Sequence, residues 1–155
     1  MDIKIIYVGK TKSDYWNDAQ DEYLKRLGPY AKIEMVEVVA ERLDGSVSDE
    51  VAMRREGEKL LSRIPDRAEV FSLDKSGKQF PSDIFARKLE EIAGNGTTIA
   101  FVIGGAAGLH GDVLKRAQRK LSLSEMTLPH ELARVVLLEQ IYRATQIIKG
   151  GKYHR

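Results

Sequence analysis

Three stretches of this 155-residue chain carry side chains suited to chemistry. The first is Gly104-Gly105-Ala106-Ala107-Gly108, directly after the apolar run Ile99-Ala100-Phe101-Val102-Ile103. Glycines at a strand end permit positive φ and let a ligand approach the backbone closely. The frame is neither G-x-G-x-x-G nor G-x-x-x-x-G-K-[ST], so no dinucleotide or P-loop fingerprint is present. A plain tight turn fits it as well as a binding loop does. The second stretch runs from Leu121 to His130, where Leu123, Met126 and Leu128 interleave with Ser124, Glu125 and Thr127 before Pro129. Such a mixture grips a flat purine apolarly while backbone groups read its edge; it also suits a half-buried loop that seals a sheet edge. The third is the tail Gly150-Gly151-Lys152-Tyr153-His154-Arg155. Two glycines there release a cation, an aromatic ring, an imidazole and a second cation. Those types suit phosphate contact with base stacking, and equally a frayed terminus.

Other chemistries find little support. His110, His130 and His154 are far apart and show no H-x-x-x-H or H-E-x-x-H spacing, which argues against a metal site. The chain has no cysteine, which removes disulfides, thiolate ligands and Cys nucleophiles. No G-x-S-x-G elbow supports a serine nucleophile. His130 opens the last helical pattern, where an N-cap is its simplest role. Glu139 and Arg143 stand at i, i+4 and either pair on a helix surface or flank a site at a helical interface.

The elements that must position these residues alternate in kind. Strands are expected at 3–8, 32–39, 69–73, 98–103 and near 119–123. Helices are expected over about 14–27 after Ser13 or Asp14, from the Ser48 cap to 64, over 82–93, 112–118 and 131–149. Trp16, Ala19, Tyr23 and Leu27 form an apolar stripe on the first helix, and Asp74–Lys78 reads as a loop after the third strand. The alternation predicts an α/β fold with a mostly parallel sheet and helices on both faces. Two loops at the ends of neighbouring strands would then form a ligand crevice.

The length suits one domain, residues 1–155, with a substantial core. The start, Met1-Asp2-Ile3-Lys4-Ile5-Ile6, lacks a charged n-region followed by a long apolar run, and no apolar run approaches a membrane span. A cytoplasmic protein is expected. Net charge is +2, unevenly spread: residues 110–155 hold nine Lys/Arg against four Asp/Glu, a balance compatible with a polyanionic partner. Leu132, Val135, Val136, Leu138, Ile141, Tyr142, Ile147 and Ile148 cover more than one stripe of the last helix. A helix so apolar is buried on two sides or meets a second subunit, and a homodimer is the preferred reading.

Several strings together resemble one family. They are Val102-Ile103-Gly104-Gly105, Gly108-Leu109, Leu121-Ser122-Leu123-Ser124, Met126-Thr127-Leu128-Pro129-His130, Arg134, Glu139-Gln140-Ile141-Tyr142-Arg143-Ala144 and Tyr153-His154-Arg155. With Ile6-Tyr7-Val8-Gly9-Lys10, Glu22-Tyr23-Leu24-Lys25-Arg26 and Glu56-Gly57-Glu58, they resemble the ribosomal RNA large-subunit methyltransferase H family, a minimal branch of the SPOUT methyltransferases, over essentially the whole chain. Where many members carry an acidic residue in the glycine loop this chain has Ala107, and where they carry Ser it has His110.

The resemblance implies a C-terminal deep trefoil knot, a homodimer and S-adenosylmethionine as cofactor. It implies methylation of N3 of a pseudouridine in 23S rRNA of the assembled ribosome. Carried over by motif, the cofactor pocket is Leu73, Gly104, Leu123, Ser124, Glu125, Met126, Thr127 and Leu128. His130, Glu139, Arg143, Tyr153 and His154 are the catalytic candidates, and Arg143, Tyr153, His154 and Arg155 are expected on the RNA. A sulfonium methyl donor is already activated, so catalysis would rest on in-line positioning and on loss of the N3 proton, without a metal. The alternative is a non-catalytic ribosome- or RNA-binding module that uses the basic C-terminal third.

Overall fold

The computed structural model of the chain describes residues 1–151 and residue 153. Its strands are β1 (Asp2–Val8), β2 (Lys32–Val38), β3 (Glu69–Lys78), β4 (Ile99–Ile103) and β5 (Arg119–Leu121). Its helices are α1 (Asp14–Leu27), α2 (Asp49–Leu61), α3 (Ser82–Gly94), α4 (Gly111–Arg116) and α5 (His130–Ile148). The strands form one five-stranded sheet in the order β2-β1-β4-β3-β5, and every pairing is parallel.

Period-two alternation distributes the sheet between two cores. Ile99, Phe101 and Ile103 of β4 join Ile3, Ile5 and Phe71 beneath α1, α3 and α5, whereas Ala100 and Val102 join Ile6, Val8 and Val70 beneath α2 and α4. All five β4 residues are buried, as a central strand covered on both faces requires. On the first face Phe71, Phe85 and Phe101 form an aromatic cluster with centroids 5.1 to 6.5 Å apart.

The structure departs from the sequence pattern in four places. The segment Asp74–Lys78 is not a loop but the continuation of β3. Its end returns to the same neighbour: Leu121 of β5 pairs with both Leu73 and Lys78, with a register break between them. At the crossing, a Cβ on Gly77 would lie 2.7 Å from the main-chain carbons of Lys120 and Leu121, so only glycine fits. Next, β4 and β5 are not neighbours, because β3 lies between them. On α1 the fully covered residues are Gln20 and Leu27, and Trp16 is only half-buried. Gln20 goes inside because its amide donates to Thr11 Oγ1 (2.9 Å) and to the Trp16 carbonyl (3.1 Å). Finally, Pro129 rather than His130 occupies the N-cap of α5, and His130 is its first helical residue.

Helix α5 packs against both α1 and α3 and buries Arg134, Leu137, Leu138, Ile141, Ala144 and Thr145. Leu132, Val135, Val136, Ile147 and Ile148 stay half-exposed. Among the described residues no helix is long and apolar enough to cross a membrane.

Candidate functional site

A cleft of about 740 Å³ opens where the carboxyl ends of β3, β4 and β5 meet. Leu73, Ile103 and Leu121, paired in register across β3, β4 and β5, form its apolar floor. Residues Gly104 to Leu109 make one wall and Ser122 to Pro129, without Glu125, the other. His130 and Ala133 of α5 close one side, and Asp74 and Lys75 of β3 contribute charge. The interposed β3 is why the cleft has a floor: it separates the two loops and carries Leu73 between them.

The first wall is both a turn and a lining. Gly108 at φ +91° donates its N–H to the Gly105 carbonyl (3.0 Å), folding the loop back on itself. A Cβ on Gly104 would lie 2.7 Å from the Gly108 carbonyl carbon and oxygen, so the fold-back demands glycine there. His110 caps α4, its Nδ1 accepting from the Asp112 N–H (3.3 Å), a task a serine performs at many helix starts.

In the second wall the serines brace the backbone. Ser122 Oγ donates to the Ser124 carbonyl (2.9 Å), Ser124 Oγ accepts from the Met126 N–H (3.0 Å), and the Ser122 N–H donates to the Lys78 carbonyl (3.1 Å). The loop is therefore tied to itself and to the β3 crossing. Leu123 packs on the core, while Met126 is 79% exposed at the rim.

Two titratable groups face the cleft with shifted affinities. Asp74 is held below the ordinary carboxylate range first by the Ser76 hydroxyl and also by the Ser76 N–H (2.8 Å), so it is anionic at neutral pH. His130 is pushed below its ordinary value first by burial and then by the Arg134 and Lys12 charges, so its imidazole is neutral at pH 7. Arg134, fully buried, fastens this corner. It donates to the His130 carbonyl (3.3 Å), the Gly9 carbonyl (3.2 Å) and Thr11 Oγ1 (2.9 Å), with its guanidinium 4.4 Å from the Tyr7 ring centroid.

A second group gathers at the far end of α5. Glu139 Oε1 accepts two hydrogen bonds from Arg143 (2.7 and 3.1 Å) and one from the Tyr153 hydroxyl (3.4 Å). Arg143 also donates to the Tyr153 carbonyl (3.3 Å), lies 4.8 Å from the Tyr153 ring centroid, and is pushed up chiefly by its hydrogen bond to Glu139. The Tyr153 ring packs edge-on against Tyr142 at 4.9 Å. Hence Tyr153 is docked on α5 rather than splayed from it.

Of the site residues expected from sequence, Leu73, Gly104, Leu123, Ser124, Met126, Thr127, Leu128 and His130 share the cleft. Glu125 is not part of the cleft lining and is exposed. Glu139, Arg143 and Tyr153 come together but apart from the cleft: at 1.5 Å per helical residue, Glu139 is about 14 Å and Arg143 about 20 Å along α5 from His130. His154 and Arg155 lie outside the described residues. Sequence reasoning missed Asp74, Lys75 and Ala133. Asp74-Lys75 was visible only as turn chemistry, and nothing local marks Ala133.

The cleft suits a cofactor of nucleoside size. Its volume lies in the range for small-molecule sites, its floor is aliphatic, and its glycine wall exposes backbone. Asp74 and Lys75 give its lining one charge of each sign.

The chain is 46% identical, over its full length and theirs, to proteins from Lysinibacillus sphaericus and Clostridium beijerinckii, each named ribosomal RNA large subunit methyltransferase H. Its fold resembles that of a probable methylase family protein from Haemophilus influenzae, with a TM-score of 0.55 at 14% identity, covering 99% of this chain and 70% of that one. A family model described as "Predicted SPOUT methyltransferase" matches residues 1–154, and the chain belongs to that family.

Proposed function

We propose that this protein uses S-adenosylmethionine to methylate ribosomal RNA of the large subunit, at N3 of a pseudouridine in 23S rRNA. The reading includes one domain over 1–155, a C-terminal trefoil knot, a cytoplasmic location and a homodimer. The observation that carries it is the cleft. Seven of the eight residues assigned to the cofactor by motif line one continuous surface at three adjacent strand ends. The half-exposed aliphatic stripe of α5 supports the dimer.

The bound cofactor would supply an electrophilic methyl group on a sulfonium. Leu73, Leu123 and Leu128 would hold the adenine apolarly, with the braced backbone of 122–128 at its edge. Asp74 would face the positive charge. Neutral His130, in the same cleft, would accept the N3 proton. Holding acceptor and donor in line supplies most of the rate, as fixed orientation does generally. Arg143, Tyr153, His154 and Arg155 take the nucleotide and its phosphates. Because Arg143 is about 15 Å along α5 from Ala133, the nearest cleft residue of that helix, that cluster serves the cleft of the other protomer.

Titration calorimetry with the purified, folded protein tests the cofactor step. Saturable binding of S-adenosylmethionine at one site per chain is expected, and absence of binding overturns the proposal.

A further inference from the structure

The Glu56-Gly57 pair of α2 lies behind the glycine wall and takes no part in the reading above. Glu56 is 5% exposed, and its Oε1 accepts from the Glu41 N–H (2.9 Å). Its carboxylate also abuts the glycine loop. A Cβ on Gly105 would lie 3.1 and 3.4 Å from Glu56 Oε2 and Oε1, and 3.0 Å from Val8 Cγ1. The adjacent Gly57 meets the other end of the loop: a Cβ there would lie 3.0 Å from His110 Cβ and 3.3 Å from Val113 Cγ2. Consecutive residues of one helix thus touch the loop where it leaves β4 and where it enters α4.

A carboxylate is a costly choice for mere packing. Burial pushes Glu56 up, and the nearby Lys59 is engaged by Glu41 at 2.6 Å. An apolar side chain of similar length would fill the space without that desolvation. What an apolar side chain of that length cannot do is accept the Glu41 N–H while presenting a flat face to Gly105.

We propose that Glu56 and Gly57 are positioning residues that clamp the two ends of the 104–110 loop from behind and so set the shape of the cofactor cleft. The inference rests on the methyltransferase reading of that cleft. Through the clamp, α2 determines cofactor affinity without touching cofactor or RNA.

The test measures S-adenosylmethionine affinity by calorimetry, and KM and kcat for methyl transfer, with melting temperatures as a control. Glu56→Ala and Gly57→Ala should each raise Kd and KM for the cofactor by about tenfold with kcat at saturation little changed, the signature of lost binding rather than lost chemistry. Glu56→Gln, which keeps shape and acceptor, should restore affinity nearly to the wild-type value. Gly105→Ala should weaken binding more in the wild-type background than in Glu56→Ala, because removing the carboxylate opens room for the added methyl; the double-mutant cycle reads that coupling. Should Glu56→Ala fail to fold, Gly57→Ala and Gly105→Ala still decide. Unchanged cofactor Kd in folded variants whose melting temperature has dropped would reduce the pair to ordinary packing and overturn the clamp. Wild-type protein that binds no S-adenosylmethionine would remove the function reading itself; a binding wild type with unaltered variants removes the clamp alone.

Discussion

An anionic Asp74 and a neutral His130 face the same cleft, one held by the hydroxyl and N–H of Ser76, the other by burial beside Arg134. The His130 shift has a direct consequence for stability. Its folded affinity for protons lies below the ordinary value of about 6.5, so the unfolded chain binds the proton first as pH falls. The contribution is intact above that pH and is lost progressively below it. Melting temperature should therefore fall more steeply from pH 7 to 5 in the wild type than in His130→Gln, measured by thermal unfolding across that range. Parallel slopes would mean that His130 is not held neutral. The cleft residues were partly legible. Gly104 and the Leu123–Leu128 loop stand out because glycines after an apolar strand, and aliphatics alternating with hydroxyls before a proline, are local patterns. Asp74 and Glu56 were not legible as parts of the site: Asp74 is held by its near neighbour Ser76 but lines the cleft only because β3 continues past Leu73, and Glu56 meets the glycine loop only through the packing of α2.

Among the elements, β3 departs most from its sequence pattern. Asp74-Lys75-Ser76-Gly77-Lys78 contains turn residues throughout, so local chemistry ends the strand at Leu73. Pairing of Lys78 with Leu121 overrides it, and the Ser122 N–H bond to the Lys78 carbonyl extends the contact. The crossing depends on Gly77, whose Cβ position is filled by backbone that no side-chain rotation can clear. Gly77→Ala should destabilise the protein by roughly 2 kcal/mol or more, within the range for forced overpacking, and should weaken cofactor binding as well. Denaturant unfolding and calorimetry check both, and a variant of wild-type stability would show that the crossing tolerates displacement. The other elements were legible because periodicity decides them: β4 as a continuous apolar run, and α3 from Ile84, Phe85, Leu89 and Ile92. The end of α5 was legible in type but not at its start, because Pro129 takes the cap and pushes His130 into the first turn.

For the whole molecule, the uneven charge and the docked Tyr153 point the same way. Residues 110–155 carry the excess of cations, and Tyr153 is held by Tyr142, Arg143 and Glu139 in a cluster remote from the cleft of the same chain. Deleting residues 151–155 should leave cofactor affinity and dimerisation unchanged while abolishing methyl transfer to ribosomes. Calorimetry, sedimentation and a methyl-incorporation assay separate these, and full activity of the truncated protein would make the tail a passive end. That the sheet is parallel and covered by helices on both faces followed from the αβ alternation. The strand order did not, because parallel strands far apart in sequence pair by tertiary fit. The separation of cleft and tail cluster along α5 also escapes sequence, where both read as parts of one site. The central claim is the reaction itself. Ribosomes from a strain lacking this enzyme, incubated with the protein and S-adenosylmethionine and analysed by mass-spectrometric mapping of rRNA, should gain one methyl group on a single pseudouridine of 23S rRNA; rRNA that gains no methyl group while the protein is folded and cofactor-bound would contradict the account.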